Sequence, residues 1–389
     1  MTHSPLFTAE AFALGARALA PGQEPWGAAG GAGLAHFALP AGALERDPGR
    51  RLAHWDSASS GPLMLADGDG TEDQVHLALD PAELRDRCQA GEILAQVLDQ
   101  TWRGATEPAP VPRLMGIVNV TPDSFSDGGK YAEPEAALRH GLDLVAQGAQ
   151  ILDVGGESTR PGAQPVPAEE ECARVLPVIE ALAAATDAPI SIDTTKAQVA
   201  AAALDAGAKW VNDISAGLAD PEMLPLVAER DVPFVAMHRQ GDPGTMQLNP
   251  SYGDPVAEVT EALRERCRAA LEAGVLEERL ILDPGIGFGK RLEHNLALMR
   301  RLGELRSLGR PLLLGVSRKS FIAHLSGAET SQDWRSGNRR DQPQDRLGGT
   351  AAALYACIAG GAAILRVHDV APMAEATLVA RALLAPPIE

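Results

Sequence analysis

Eight apolar runs in this 389-residue chain end in side chains able to do chemistry. They are Asn119, Asp153, Asp193, Asn212 with Asp213, His238, Asp283, Ser317-Arg318-Lys319, and Arg366 with His368. Asp193, Asn212 and Asp283 would supply hydrogen-bond donors and acceptors at a fixed depth, which suits a flat heterocycle carrying amino, ring-NH and carbonyl groups. Lys319, Arg366 and His368 would supply positive charge for an anion or an electron-rich oxygen. Any one of these residues alone reads more simply as a cap; finishing all eight runs this way is what points to a site. There is no Ser-His-Asp spacing, no His/Cys metal cluster and no GxxxxGK[ST] loop, so acyl-enzyme chemistry, catalytic zinc and a P-loop are not expected.

The loops after these runs add to the picture. Asn119 opens NVTPDSFSDGGK, with Asp123, Ser124, Ser126, Asp127 and Gly128-Gly129. Glu157-Ser-Thr-Arg-Pro-Gly162 puts Thr159 and Arg160 between Gly155-Gly156 and Pro161-Gly162, and reads as a movable arm. Two polar loops over a rigid mouth suit a site that excludes water while a reactive intermediate forms. Asp283-Pro-Gly-Ile-Gly-Phe-Gly-Lys290 is glycine-rich, so its backbone can approach a ring closely, with Phe288 free to cover a ligand face. Ser317 to Ser320 opens a helix directly after a strand and favours a carboxylate or phosphate. Only five lysines stand against 29 arginines, and Lys130, Lys196, Lys290 and Lys319 all follow apolar runs. These positions are read as needing a compact ammonium.

The elements that must position these groups repeat from Arg113 onward. Strands are expected at 114–118, 150–154, 189–192, 210–214, 232–237, 279–282, 311–316 and 362–367. Helices are expected at 134–147, 168–185, 196–206, 221–230, 254–273, 292–307, 318–325 with 345–359, and 371–384. Eight such alternations predict an α/β fold, a closed parallel (β/α)8 TIM barrel at 113–389. An open doubly wound sheet is the alternative, weakened by the lack of GxGxxG after the first strand. Ser326 to Gln344 reads as a polar surface excursion.

Residues 1–108 form an N-terminal extension of about 110 residues with no lysine and no chemical motif. Strand-like pieces at His36–Leu39, Leu63–Leu65 and Val75–Leu79, a helix at Pro81–Trp102 and a linker at Thr106–Pro112 are expected there. A net charge of −18 argues against nucleic-acid binding. The uncharged run Leu347–Leu365 is interrupted by Gly360-Gly361 and reads as helix, turn and strand, not a membrane span. The start lacks a secretory signal, and the four dispersed cysteines read as reduced and buried, which predicts a cytoplasmic protein.

NVTPDSFSDGG, ILDVGGESTRPGA, SIDTTK, VNDIS, DPGIGFGK, LLGVSRKSFI, DRLGGT and RVHDV, in this order from about Arg113 to the C-terminus, resemble the motif set of the dihydropteroate synthase family. The resemblance implies a transferase of folate biosynthesis. It joins 6-hydroxymethyl-7,8-dihydropterin diphosphate to p-aminobenzoate, forming a C–N bond and giving 7,8-dihydropteroate and pyrophosphate. It further implies a Mg²⁺ requirement, a homodimer and inhibition by sulfonamides.

Carried over by motif, Asp193, Asn212, Asp283 and Lys319 would hold the pterin, with Met237 alongside. Arg366 would stack on it and, with His368, grip the diphosphate, with Thr159 also contributing to that substrate's site. Asn119 would help bind Mg²⁺. Thr159, Arg160, Pro161, Phe288, Lys319 and Ser320 would form the p-aminobenzoate pocket. Asp193, Lys319, Arg366 and His368 are the implied catalytic residues. Two features depart from the pattern. Arg239 stands where Met is common, and its side chain is expected to reach solvent. The N-terminal segment is absent from compact members of the family. A pterin-binding methyltransferase domain is the rival reading, but it has no use for RVHDV or NVTPDSFSDGG. A binder without turnover is the other.

Overall fold

Short runs of β-branched and aliphatic residues bounded by glycine, proline or aspartate become the strands of a parallel ring. The computed structural model describes residues 111–120, 132–158, 164–242, 244–325 and 346–384, together with four short strands before them. Those four are β1 (Arg17–Ala18), β2 (Ala35–Pro40), β3 (Ala66–Asp67) and β4 (Gln74–Leu79). They form an antiparallel sheet in the order β1-β2-β4-β3. The strands expected at 36–39 and 75–79 are present, and the third falls just after the expected Leu63–Leu65. The chain forms two compact units, Met1–Pro108 with Arg301–Arg310, and Ala109–Arg300 with Pro311–Glu389. The expected helix at Pro81–Trp102, most of the linker and the Ser326–Gln344 excursion lie outside the described residues.

In the second unit the strands are β5 (Arg113–Asn119), β6 (Ile151–Gly155), β7 (Ile190–Asp193), β8 (Trp210–Asp213), β9 (Phe234–Met237), β10 (Leu280–Asp283), β11 (Leu313–Leu314) and β12 (Ile364–Val367). Each pairs in parallel with its sequence neighbour, and β12 pairs with β5, Leu365 opposite Leu114. A parallel bridge between Leu282 and Leu312, with Leu282 N–H donating to Pro311 O at 2.9 Å, joins β10 to β11 and closes the ring. The eight-stranded barrel expected from the sequence is therefore present.

The helices are α1 (Ala132–Ala146), α2 (Ala168–Ala185), α3 (Ala197–Asp205), α4 (Met223–Arg230), α5 (Pro255–Glu272), α6 (Leu292–Arg300), α7 (Leu302–Arg306), α8 (Ser320–Leu325), α9 (Leu347–Ala359) and α10 (Val370–Leu384). The helix start at α5 illustrates local sequence logic: Asp254 caps it, accepting from Val256 N–H at 2.9 Å, and Pro255 fills the first helical position. The stretch expected as one helix at 292–307 breaks at Arg301 into α6 and α7.

The barrel interior is filled by Met115, Ile151, Trp210, Val235, Ile281, Leu313 and Ile364, drawn from seven strands and buried together. Fully burying such side chains contributes about 1.5–3 kcal/mol each. The strand period of two then determines what lies nearer the carboxyl end. Two residues beyond Ile151, Trp210, Val235, Ile281 and Ile364 come Asp153, Asn212, Met237, Asp283 and Arg366. The apolar filling thus supports a polar layer, and the expected site residues of these strands share its inward parity.

Candidate active site

Arg366 is the centre of that layer. Its Nε donates to Asp153 Oδ2 at 2.5 Å and its Nη2 to Asp193 Oδ2 at 2.7 Å. Asp153 Oδ2 also accepts from Asn212 Nδ2 at 3.0 Å. Four strand ends, β6, β7, β8 and β12, are tied through one guanidinium and one carboxylate. Burial opposes the charge on Arg366, but Asp153 and Asp193 more than offset it and hold the guanidinium firmly protonated. Burial pushes Asp193 up to about 7 against the pull of Arg366, with Asp153 adding to the rise.

Asp283 closes the other side. Its Oδ1 accepts from Gly285 N–H at 2.7 Å, and burial raises its carboxyl to about 6 against that hydrogen bond and the nearby charges of Lys319, Lys290 and Arg366. Lys319 is pushed down to about 8 by burial, opposed by Asp283, and its Nζ lies 4.1 Å from the centre of the Phe288 ring. That cation–π contact joins the loop after β10 to the loop after β11. Met237, at the end of β9, is buried beside Gly285.

The loop after β10 rests directly on the loop after β9. Gly285 has φ +68° and Gly289 φ +59°. A Cβ at Gly285 would lie 1.9 Å from His238 O, and one at Gly289 2.2 Å from Gln240 O. Only glycine permits both the left-handed backbone and this approach. Lys290, buried beneath, donates toward His238 Nδ1 at 2.9 Å, His238 O at 3.3 Å and Phe288 O at 3.0 Å. Burial lowers its ammonium to about 7 and His238 to about 3. His238 is therefore a neutral structural partner of Lys290. Arg239 does not run out to solvent as expected: its side chain is 15% exposed, turned back onto its own loop, with Nη1 3.3 Å from Gly241 O and 3.9 Å from Asp242 Oδ1.

Two expectations about charge change. Burial, with Arg366 and Arg318 adding, pushes His368 down to about 3, so its imidazole is neutral here and offers hydrogen bonds in place of the expected charge. Ser317 Oγ accepts from His368 N–H at 3.2 Å and lies 3.1 Å from its Nδ1, so Ser317 serves His368 and is not a helix cap. Arg318, at φ +57°, forks onto Asp369 at 2.8 and 2.5 Å, so it is not a free anion ligand. Ser320 begins α8 and is exposed.

Asn119 ends β5 at the carboxyl rim, opposite Gly155. Asp213 is spent on its own turn, accepting from Ser215 N–H and Gly217 N–H, each at 2.7 Å. Lys196 pairs with Glu157 and, at 2.6 Å, with the buried Glu171. Since Glu157 also accepts from Val166 N–H at 3.3 Å, Lys196 anchors the stem of the second loop. Thr159, Arg160 and Pro161 at that loop's tip, and Asp123 to Lys130 in the first loop, lie outside the described residues. Cys267 and Cys357 are buried and Cys172 half-buried, all three outside any disulfide.

Asp153 and Lys290 are the two residues whose part the sequence did not assign. Asp153 stands two positions after an inward Ile151, and that parity was a usable signal. Lys290 had its scarcity and its place after a glycine-rich loop.

Comparison with known proteins bears on this arrangement. A family model described as "Pterin binding enzyme" matches residues 115–368. The dihydropteroate synthase of Synechocystis sp. is 47% identical over 270 residues, covering 69% of this chain and 89% of that protein. A solved dihydropteroate synthase of Xanthomonas albilineans with 4-aminobenzoic acid is 48% identical with a TM-score of 0.64, covering 71% of this chain and 94% of the other. The same organism's enzyme in complex with 7,8-dihydropteroate is 46% identical with a TM-score of 0.62, covering 71% and 95%.

Proposed function

The chain belongs to the pterin-binding enzyme family as a dihydropteroate synthase, a transferase of folate biosynthesis, and on that premise we propose how its residues divide the work. The substrates are 6-hydroxymethyl-7,8-dihydropterin diphosphate and p-aminobenzoate. Asp193, Asn212, Asp283 and Lys319 hold the pterin, Met237 lies beside it, and Arg366 stacks on it. The single observation that carries this division is the hydrogen-bonded set Arg366–Asp153–Asn212 with Arg366–Asp193, facing Asp283 and Lys319 at the same strand ends.

The chemistry needs two things from such a site. As pyrophosphate leaves, negative charge grows on the departing oxygens, and Arg366 with a hydrogen bond from His368 stabilises it. The pterin methylene left behind is electron-poor, and its positive charge spreads into the ring, where the carboxylates of Asp193 and Asp283 favour it. The arylamine of p-aminobenzoate is neutral at pH 7 and attacks without a strong general base. Thr159, Arg160, Pro161, Phe288, Lys319 and Ser320 line its pocket, which sulfonamides would occupy.

Mg²⁺ would be carried on the diphosphate, since this ion binds through few protein oxygens and completes its shell with phosphates and water. Asn119 at the rim would supply the protein ligand, and the bound ion would offset charge on the leaving group.

Residues 1–108 act as an accessory segment and 113–389 as the catalytic domain. Tyr355 on α9 and Leu378, Val379 and Leu383 on α10 are exposed apolar side chains that a homodimer would cover. No helix among the described residues is long and apolar enough to cross a membrane, and a cytoplasmic location accords with the folate pathway.

Coupled measurement of pyrophosphate tests the proposal. Release is expected only with both substrates and Mg²⁺ present, and chelation should abolish it. No release under those conditions would make the protein a pterin binder without turnover.

A further inference from the structure

Asp153 has no substrate role in the division above, yet it is wholly buried and its Oδ1 has no hydrogen-bond partner. Its Oδ2 takes Arg366 Nε and Asn212 Nδ2 together. A carboxylate accepts and does not donate, so the Asn212 atom 3.0 Å away must be the amide nitrogen. The orientation of that amide is thereby decided, and its other end, Oδ1, bonds to nothing among the described residues. Asn212 sits at the inward parity of β8, two residues past Trp210 of the buried filling.

We propose that Asp153 is a positioning and specificity residue. It locks Asn212 with its carbonyl oxygen toward the bound ring and thereby selects an N–H or amino group on that edge. The same oxygen fixes the Arg366 guanidinium, so one carboxylate sets both a donor-reading acceptor and the cation over the ring. This deepens the pterin reading and rests on it. Without the lock the asparagine amide can turn, and a donor would then face a donor.

The lock predicts how substitutions at 153 divide. In Asp153→Asn the amide oxygen can stand where Oδ2 stood and keep both Arg366 Nε and Asn212 Nδ2, with the new Nδ2 in the place of the unpartnered Oδ1. In Asp153→Leu, of similar size, neither donor keeps its acceptor, and the Asn212 amide is free to turn and offer an N–H to the ring.

Steady-state kinetics of pyrophosphate release by the full chain, varying each substrate in turn, tests this. Asp153→Leu should raise KM for the pterin diphosphate by about tenfold to a hundredfold, with KM for p-aminobenzoate changed less than about twofold. Asp153→Asn should recover about tenfold of that loss. Circular dichroism melting of each variant accompanies the kinetics, and if Asp153→Leu folds poorly the same comparison is made with Asp153→Ala. An unchanged pterin KM in a folded Asp153→Leu or Asp153→Ala, equal losses for both substrates, or an Asp153→Asn no better than the apolar variants would overturn the lock. Wild-type protein that releases no pyrophosphate would instead overturn the synthase reading, and the lock with it.

Discussion

Arg366→Ala tests whether the polar layer works as a unit. The guanidinium serves Asp153 at 2.5 Å and Asp193 at 2.7 Å, and the side chains are 21%, 0% and 16% exposed, respectively. An ion pair at the surface would be worth about 0–1 kcal/mol. Removing one member of a buried pair costs about 3–5 kcal/mol, because the other charge is left without compensation. Burial selects the larger figure. The pH dependence follows from Asp193. It is already raised to about 7 by burial while Arg366 pulls it down. Without Arg366, Asp193 should hold its proton to higher pH. A carboxyl raised in the folded state above its unfolded value takes up a proton on folding, so stability falls as pH rises between the two values. The deficit should therefore be smaller near about pH 5 than near about pH 8. Urea unfolding at those two pH values measures it, and pyrophosphate release should fall by about 10²–10³-fold. Adding Asp153→Asn to Arg366→Ala should restore part of the stability and none of the turnover. A loss below about 1 kcal/mol that does not change with pH, or turnover near that of the wild type, would refute the reasoning.

Gly285→Ala forces a methyl to within 1.9 Å of His238 O at φ +68°, so a loss of about 3 kcal/mol or more in denaturant stability is expected. A folded variant of near wild-type stability would mean the two loops can part. Lys319 is lowered to about 8 and loses its charge above that pH, so kcat/KM for the pterin diphosphate should decline on the alkaline side. In Lys319→Arg that limb should flatten at a lower maximal rate, as the pH profile would reveal. Removing residues 1–108 should leave pyrophosphate release intact, since every proposed site residue lies from Asn119 onward. A soluble, folded truncation without turnover would give the segment a part in the site.

The barrel could be read from the chain because each strand is a compact apolar run ending in a polar residue, and each helix carries its own period. The helix at Ala168–Ala185 has the bounds that its sequence suggested. Local chemistry explains where the reading slipped. The seventh strand, expected over 311–316, shrinks to Leu313–Leu314, because Pro311 has no N–H for a ladder and Gly315 stiffens nothing. The site was legible as a set of residue types and much less as a set of roles. Asp153, Asp193 and Asp213 look alike along the chain; one is a buried anchor, one faces the site and one caps a turn. Those differences come from partners far away in sequence: Arg366 lies 213 residues from Asp153, and Asp369 lies 51 from Arg318. The charge of His368 was misread for a related reason, since burial beside two arginines is a property of the folded neighbourhood.

The ring is sewn unevenly. Between β10 and β11 a single bridge at Leu282 and Leu312 does what whole ladders do elsewhere, and the strand on its far side is two residues long. This seam is where the wall should breathe first, and its amides should trade hydrogen for deuterium ahead of their neighbours. Lys319 follows this seam, so the ligand proposed to engage its ammonium should slow that exchange.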